Sequence, residues 1–154
     1  MDTVAIFHDV RSAYNVGSLF RTADGAHVAR IYLTGYTPAP TDRFGREVHM
    51  IVKTALGAEK AVPWEKGDIV PVIKRLKSDG YRVVGVEQTP RAVSYRTVTF
   101  PSKTAYLFGN EVGGLHDEVL KLCDSVIMIP MGGKKESLNV AVVAGIILFH
   151  FAAG

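Results

Sequence analysis

Three short clusters hold the polar side chains whose types and spacing could do chemistry. In the first, Asn15-Val16-Gly17-Ser18-Leu19-Phe20-Arg21, Asn15 and Arg21 flank about a turn and a half of helix. An arginine there could grip a phosphate through its planar fork, and an asparagine could orient a hydroxyl. The competing reading is a helix cap at Asn15 and a solvated arginine. The second cluster is Leu107-Phe108-Gly109-Asn110-Glu111-Val112-Gly113-Gly114-Leu115. Its glycines let a ligand approach the backbone closely. Glu111 could hold a cation or position Arg21, or it is a surface acid on a strand-to-helix turn. The third is Met131-Gly132-Gly133-Lys134-Lys135-Glu136 followed by Ser137-Leu138-Asn139. Two glycines in a basic loop, with Ser137 capping a helix start, offer free backbone N–H groups to a polar ligand. A cap alone explains the serine. It does not explain two polar side chains and two glycines converging beside a strand end.

Other chemistries lack their residues. There is no Walker A pattern, no G-x-G-x-x-G after the first strand and no G-x-S-x-G elbow, which argues against a P-loop NTPase, an ordinary dinucleotide dehydrogenase and a serine hydrolase. The histidines, His8, His27, His49, His116 and His150, show no metal-ligand spacing, and the one cysteine, Cys123, cannot complete a zinc site, so no metal is expected. Cys123 lies between Leu122 and Asp124 and reads as a small core residue. A lone cysteine forms no intrachain disulfide, which fits a reducing compartment. Met1-Asp2-Thr3 leads directly into an apolar strand pattern, with neither the basic nor the apolar region of a signal peptide, so the expected location is cytoplasmic.

The elements that must position these clusters alternate. Buried strands are expected at Thr3 to Phe7, Ile31 to Leu33, Arg82 to Val86, Thr104 to Phe108 and Val126 to Ile129. Helices are expected from Asn15 to about Ala26, over Val48 to Leu56, through Ile69, Val72, Ile73 and Leu76 to a stop at Asp79-Gly80, over His116 to Leu122, and over Val140 to Ala153. Pro63-Trp64 ends a short extended piece, and Glu87 to Arg96 reads as a polar loop. The alternation predicts an α/β domain with a mainly parallel sheet. In such sheets ligands bind beyond the carboxyl ends of the strands, and the polar and glycine-rich stretches fall there.

At 154 residues the chain is expected to form one domain over 1–154, with no N- or C-terminal extension. A formal charge of +3 agrees with a polyanion partner without demanding one. The segment from Val140 onward is too apolar for a solvated helix, yet it is short for a membrane span and is interrupted by His150. Its own sheet or a second subunit must cover it.

In order and in context, the three clusters resemble the three motifs of the SpoU (TrmH) branch of the SPOUT RNA methyltransferases. The first motif, N-x-G-x-x-x-R, is met by Asn15, Gly17 and Arg21. The second, F-G-x-E-x-x-G-L, is met by Phe108, Gly109, Glu111, Gly114 and Leu115. The third, I-P-M-x-G-x-x-x-S-L-N-V, is met by Ile129, Pro130, Met131, Gly133, Ser137, Leu138, Asn139 and Val140. The resemblance spans nearly the whole chain. It implies a parallel-sheet α/β/α fold with a C-terminal trefoil knot. Topology rules alone would not produce that knot and favour an unknotted doubly wound sheet.

The resemblance further implies an S-adenosylmethionine pocket against Val86, Gly109, Ile129, Met131 and Leu138, and a homodimer joined through the first and last helices. The implied reaction is methyl transfer to a ribose 2′-hydroxyl of RNA. Arg21, often supplied across the dimer, would be central, and Asn15, Glu111, Ser137 and Asn139 would hold the ribose, Arg21 and the closing loop. RNA would be gripped by Arg11, Arg43, Arg46, Lys134 and Lys135, each of which is otherwise a solvated charge. The minimal size points to transfer RNA ahead of ribosomal RNA. Ala141 stands where relatives often carry a small hydroxyl residue. The rival readings are a non-catalytic RNA-binding or dimerisation module of the same fold, and a methyltransferase acting on a base.

Overall fold

The computed structural model describes residues 2–152. Seven parallel strands form one sheet: β1 (Val4–His8), β2 (Arg30–Thr34), β3 (Trp64–Gly67), β4 (Arg82–Val86), β5 (Val93–Ser94), β6 (Thr104–Phe108) and β7 (Ser125–Met128). Their order is β3-β2-β1-β6-β4-β7-β5. The interior strand β1, Val-Ala-Ile-Phe-His, is buried at every position. An interior parallel strand is covered on both faces, so it reads as a continuous apolar run.

Alternate residues of β1 feed two separate cores. Ala5 and Phe7 join Val16, Leu19, Phe20, Ile51, Ala144 and Ile147 on one side. Those partners come from α1 (Ala13–Gly25), α2 (His49–Ala55) and α6 (Val140–Phe151), the same layer to which α3 (Ala58–Ala61) adds Ala58. Val4 and Ile6 join Val72, Ile73, Leu76, Val119 and Leu120 on the other, from α4 (Ile69–Ser78) and α5 (Asp117–Leu120). The result is the expected α/β/α sandwich. Among the described residues no helix is long and apolar enough to cross a membrane.

The structure corrects several expectations about helix and strand limits. Asn15 does not cap α1. Ser12 does, its hydroxyl accepting the Asn15 N–H at 3.1 Å, which leaves the Asn15 side chain free for another partner. Likewise Ser137 does not cap α6. The cap is Asn139, whose Oδ1 accepts the Ala141 N–H at 2.8 Å. That helix runs to Phe151 with Ala152 as its C-cap, and its expected end at Ala153 lies outside the described residues. Trp64 begins β3 instead of ending an extended piece. The charged side chains of Glu65 and Lys66 hid that strand, because edge strands tolerate such residues. The expected loop of Glu87 to Arg96 contains the two-residue edge strand β5, paired with Ile127 and Met128.

Candidate functional site

A cleft opens at the carboxyl edge of β4, β6 and β7. Val86 and Glu87 enter it from the end of β4, Phe108 to Glu111 from the end of β6, Met128 and Ile129 from the end of β7, and Met131, Ser137 and Leu138 from the closing loop. All five residues expected to hold the cofactor, Val86, Gly109, Ile129, Met131 and Leu138, line it.

Gly109 is explained by backbone crowding. A Cβ there would meet the Gly114 carbonyl carbon at 2.7 Å, because Asn110 and Gly114 close a tight turn by exchanging backbone hydrogen bonds. Gly114 sits at φ +63°, in the left-handed region. Glu87 ties that turn to β4, its Oε2 accepting the Leu115 N–H at 2.7 Å. Gln88 crosses to β7, its Nε2 donating to the Ile129 carbonyl at 2.6 Å. Neither residue was singled out by motif. Their signal was position alone: polar residues directly after a buried strand in a parallel sheet.

Of the five expected catalytic residues, Glu111 and Ser137 line the cleft. Glu111 faces the start of α1. It accepts the Arg11 N–H at 3.0 Å, the Ser12 N–H at 2.9 Å and the Asn15 Nδ2 at 3.3 Å. Asn15 is buried and reaches the site through this bond. Partial burial pushes the Glu111 carboxyl up, but the hydrogen bonds from Arg11, Ser12 and Asn15 outweigh it and hold the carboxyl below its ordinary value. The first two motifs are therefore joined by one carboxylate. Asn139 belongs to the closing loop as the cap of α6 and does not line the cleft.

Arg21 is exposed on α1 and is not among the cleft residues of its own chain. Arg11, Arg43, Arg46, Lys134 and Lys135 are exposed as well. Lys134 and Lys135 lie on the closing loop, and Arg43 and Arg46 on a turn after β2. That turn is linked to the cleft through Tyr36, whose hydroxyl accepts the Asn110 Nδ2 at 2.7 Å. The same Nδ2 donates to the Asp9 carbonyl at 2.8 Å. Among the described residues no group of three or more His, Cys, Asp and Glu side chains is placed to hold a metal ion.

The lining fits S-adenosylmethionine in its chemistry. Val86, Phe108, Ile129, Leu138 and Val143 offer apolar surface for a purine, and the Glu87 and Glu111 carboxylates place negative charge beside it for a sulfonium and an ammonium.

Residues 2–149 match the SpoU rRNA Methylase family. The chain is 32% identical over 151 residues to a tRNA (guanosine(18)-2'-O)-methyltransferase of Aquifex aeolicus, covering 97% of this chain and 68% of that protein. It is 29% identical over 144 residues to the 23S rRNA (guanosine-2'-O-)-methyltransferase RlmB of Neisseria meningitidis, covering 93% of this chain and 55% of that one. Among solved structures, an AdoMet-bound rRNA methyltransferase from Sinorhizobium meliloti superposes with a TM-score of 0.87 at 32% identity, over 96% of this chain and 54% of that chain. The chain thus spans between about half and two thirds of these relatives.

Proposed function

This chain belongs to the SpoU rRNA methylase family, and we propose that it transfers the methyl group of S-adenosylmethionine to a ribose 2′-hydroxyl of RNA. The observation that carries the reading is the cleft at the ends of β4, β6 and β7, where the second and third motifs meet. When bound there, S-adenosylmethionine supplies an electrophilic methyl on a sulfonium. Val86, Gly109, Ile129, Met131 and Leu138 would hold it, and Ser137 would close the loop over it.

The protein's own contribution is positioning. Glu111 is committed to Arg11, Ser12 and Asn15, so it fixes the start of α1 against the cleft and does not serve as the base. Arg21 hardly deprotonates. It clamps the phosphate next to the target nucleotide and orients the hydroxyl, and the proton leaves to phosphate or water. Arg21 acts on the partner's cleft in a homodimer. Two features support this. Gly25 lies four residues on and so shares its face of α1. The Phe149 ring of α6 would approach within 3.1 Å of a Cβ at Gly25, and Phe149 itself is half exposed. Arg21 therefore borders an apolar surface in need of cover.

The knot is part of the same proposal. β7 sits between β4 and β5, which the 87–92 connection joins, and the segment after β5 packs Tyr95 and Phe100 against His150 and Phe151 of α6. That arrangement suits a terminal segment drawn through the 87–103 loop. Transfer RNA is the favoured substrate, as for the Aquifex relative. Cytoplasmic residence completes the proposal and agrees with the lone thiol of Cys123.

Replacing Arg21 by Ala tests the assignment. Methyl transfer to RNA is expected to fall by about a thousandfold or more, while a thermal shift with S-adenosylmethionine persists. Turnover retained in Arg21→Ala would remove the clamp. A wild-type protein without any thermal shift would favour the non-catalytic module.

A further inference from the structure

The turn after β2 holds an aromatic ring out in water. Phe44 is 66% exposed, at the tip of a hairpin closed by an antiparallel bridge between Thr41 and Glu47. The turn is built tightly. Asp42 Oδ1 accepts the Phe44 N–H at 2.8 Å and the Arg46 N–H at 3.0 Å. The Asp42 N–H donates to the Arg46 carbonyl at 2.8 Å, and the Gly45 N–H donates to the Asp42 carbonyl at 3.0 Å. Gly45, at φ +78°, takes the left-handed position that lets the turn close.

An apolar ring held on an ordered turn with most of its surface in water gains little burial from its own chain. Its surroundings indicate what it is kept for. The Arg43 guanidinium lies 4.8 Å and the Arg46 guanidinium 4.9 Å from the ring centroid. Arg46 is paired with Asp42, but Arg43 makes no ion pair among the described residues. The rim is also tied to the cleft: Tyr36 stands at the start of this loop, 58% exposed, with its hydroxyl on Asn110 and its backbone N–H on Asp9 Oδ1 at 3.0 Å.

We propose that Phe44, flanked by Arg43 and Arg46, is a stacking platform for one unpaired base of the RNA substrate, a short way along the strand from the nucleotide at the cleft. This rests on the RNA reading above and adds a specific subsite to it. Unpaired bases stack on aromatic faces without demanding a sequence, and the guanidiniums over the ring extend the planar surface or swing out to meet the flanking phosphates. A protein partner would be expected to meet an apolar patch, whereas this ring has two guanidiniums within 5 Å of its centroid. The platform selects substrates whose target lies in a loop, where a neighbouring base is free to swing out.

The test uses the full chain and a single-stranded oligoribonucleotide of about ten residues carrying 2-aminopurine, whose fluorescence is quenched on stacking. Wild type should bind and quench it. Phe44→Ala should bind about tenfold more weakly and lose the quench, while Phe44→Tyr restores both. The salt dependence of binding should be unchanged in Phe44→Ala and shallower by about one in Arg43→Gln, since only the second removes a phosphate contact. The S-adenosylmethionine thermal shift should be the same in every variant, which shows that each is folded.

Equal binding and equal quench in wild type and Phe44→Ala would overturn the platform. So would a Phe44→Ala protein whose only change is a weaker self-association, since the ring would then cover a second copy. The binding assay does not depend on turnover. A wild-type protein that quenches the probe but methylates no RNA would refute the catalytic reading and leave the platform standing.

Discussion

Glu111 shows how one side chain can serve a site without taking part in bond making. Its carboxylate receives two backbone N–H groups and one amide, all from the loop and first turn that precede Arg21 on α1. Charge-assisted bonds of this kind lower a carboxyl's proton affinity, and here they prevail over partial burial. The sign of the pH effect follows. Stabilisation from the charged carboxylate is complete above the ordinary carboxyl value and is lost as pH falls through the lowered folded value. Glu111→Gln should therefore cost about 1–2 kcal/mol at neutral pH, and the gap from wild type should close in acid. Urea midpoints measured from neutrality down to pH well below the ordinary carboxyl value would show it. A gap independent of pH would mean that shape, and not charge, holds α1. Motif spacing drew attention to Asn15 and Glu111 separately. Their bond across nearly a hundred residues could not be read from the chain, because only the parallel pairing of β1 with β6 brings the two strand ends together.

At the scale of elements, Gly17 has a packing reason that its motif does not reveal. A Cβ at Gly17 would lie 1.7 Å from Thr54 Oγ1 and 2.6 Å from the Ile51 carbonyl, so α1 and α2 meet there backbone to backbone. The Thr54 hydroxyl could turn away, although it donates to the Tyr14 carbonyl at 3.2 Å and so links the two helices. The Ile51 carbonyl cannot move without its helix. Gly17→Ala should lower stability by about 1–3 kcal/mol and reduce methyl transfer through displacement of Arg21, one turn further on. Chemical denaturation together with initial rates would test both parts. The strands β1, β4 and β6 were legible in the sequence because burial on two faces leaves few polar residues to confuse the period, and α6 because its run is apolar almost throughout. Those that escaped, β3 and β5, are edge strands whose identity depends on a neighbour and not on their own composition. The helix caps were misplaced, by three residues at Asn15 and two at Ser137, for a similar reason. Each stretch holds several residues able to cap, and geometry chooses among them.

At the scale of the whole molecule, one protomer holds the cleft and displays Arg21 away from it. Val142 and Phe149 on α6 are each about half exposed, and Tyr14 on α1 more so, in a helix pair that packs side by side. The proposed homodimer covers that surface and brings each Arg21 to the other protomer's cleft, which makes every site a composite of two chains. A composite site can be complemented, and a site contained in one chain cannot. Arg21→Ala keeps an intact cleft, and Leu138→Arg keeps Arg21 but places a charge among the cleft residues. Each homodimer should be inactive. In an equimolar mixture allowed to exchange, half of the dimers are mixed, and each mixed dimer contains one cleft with a working partner arginine. The mixture should therefore recover about a quarter of wild-type methyl transfer. If Arg21 served its own cleft, every mixed dimer would pair each defect with an intact half in the same chain to no effect, and the mixture would stay as inactive as its parents.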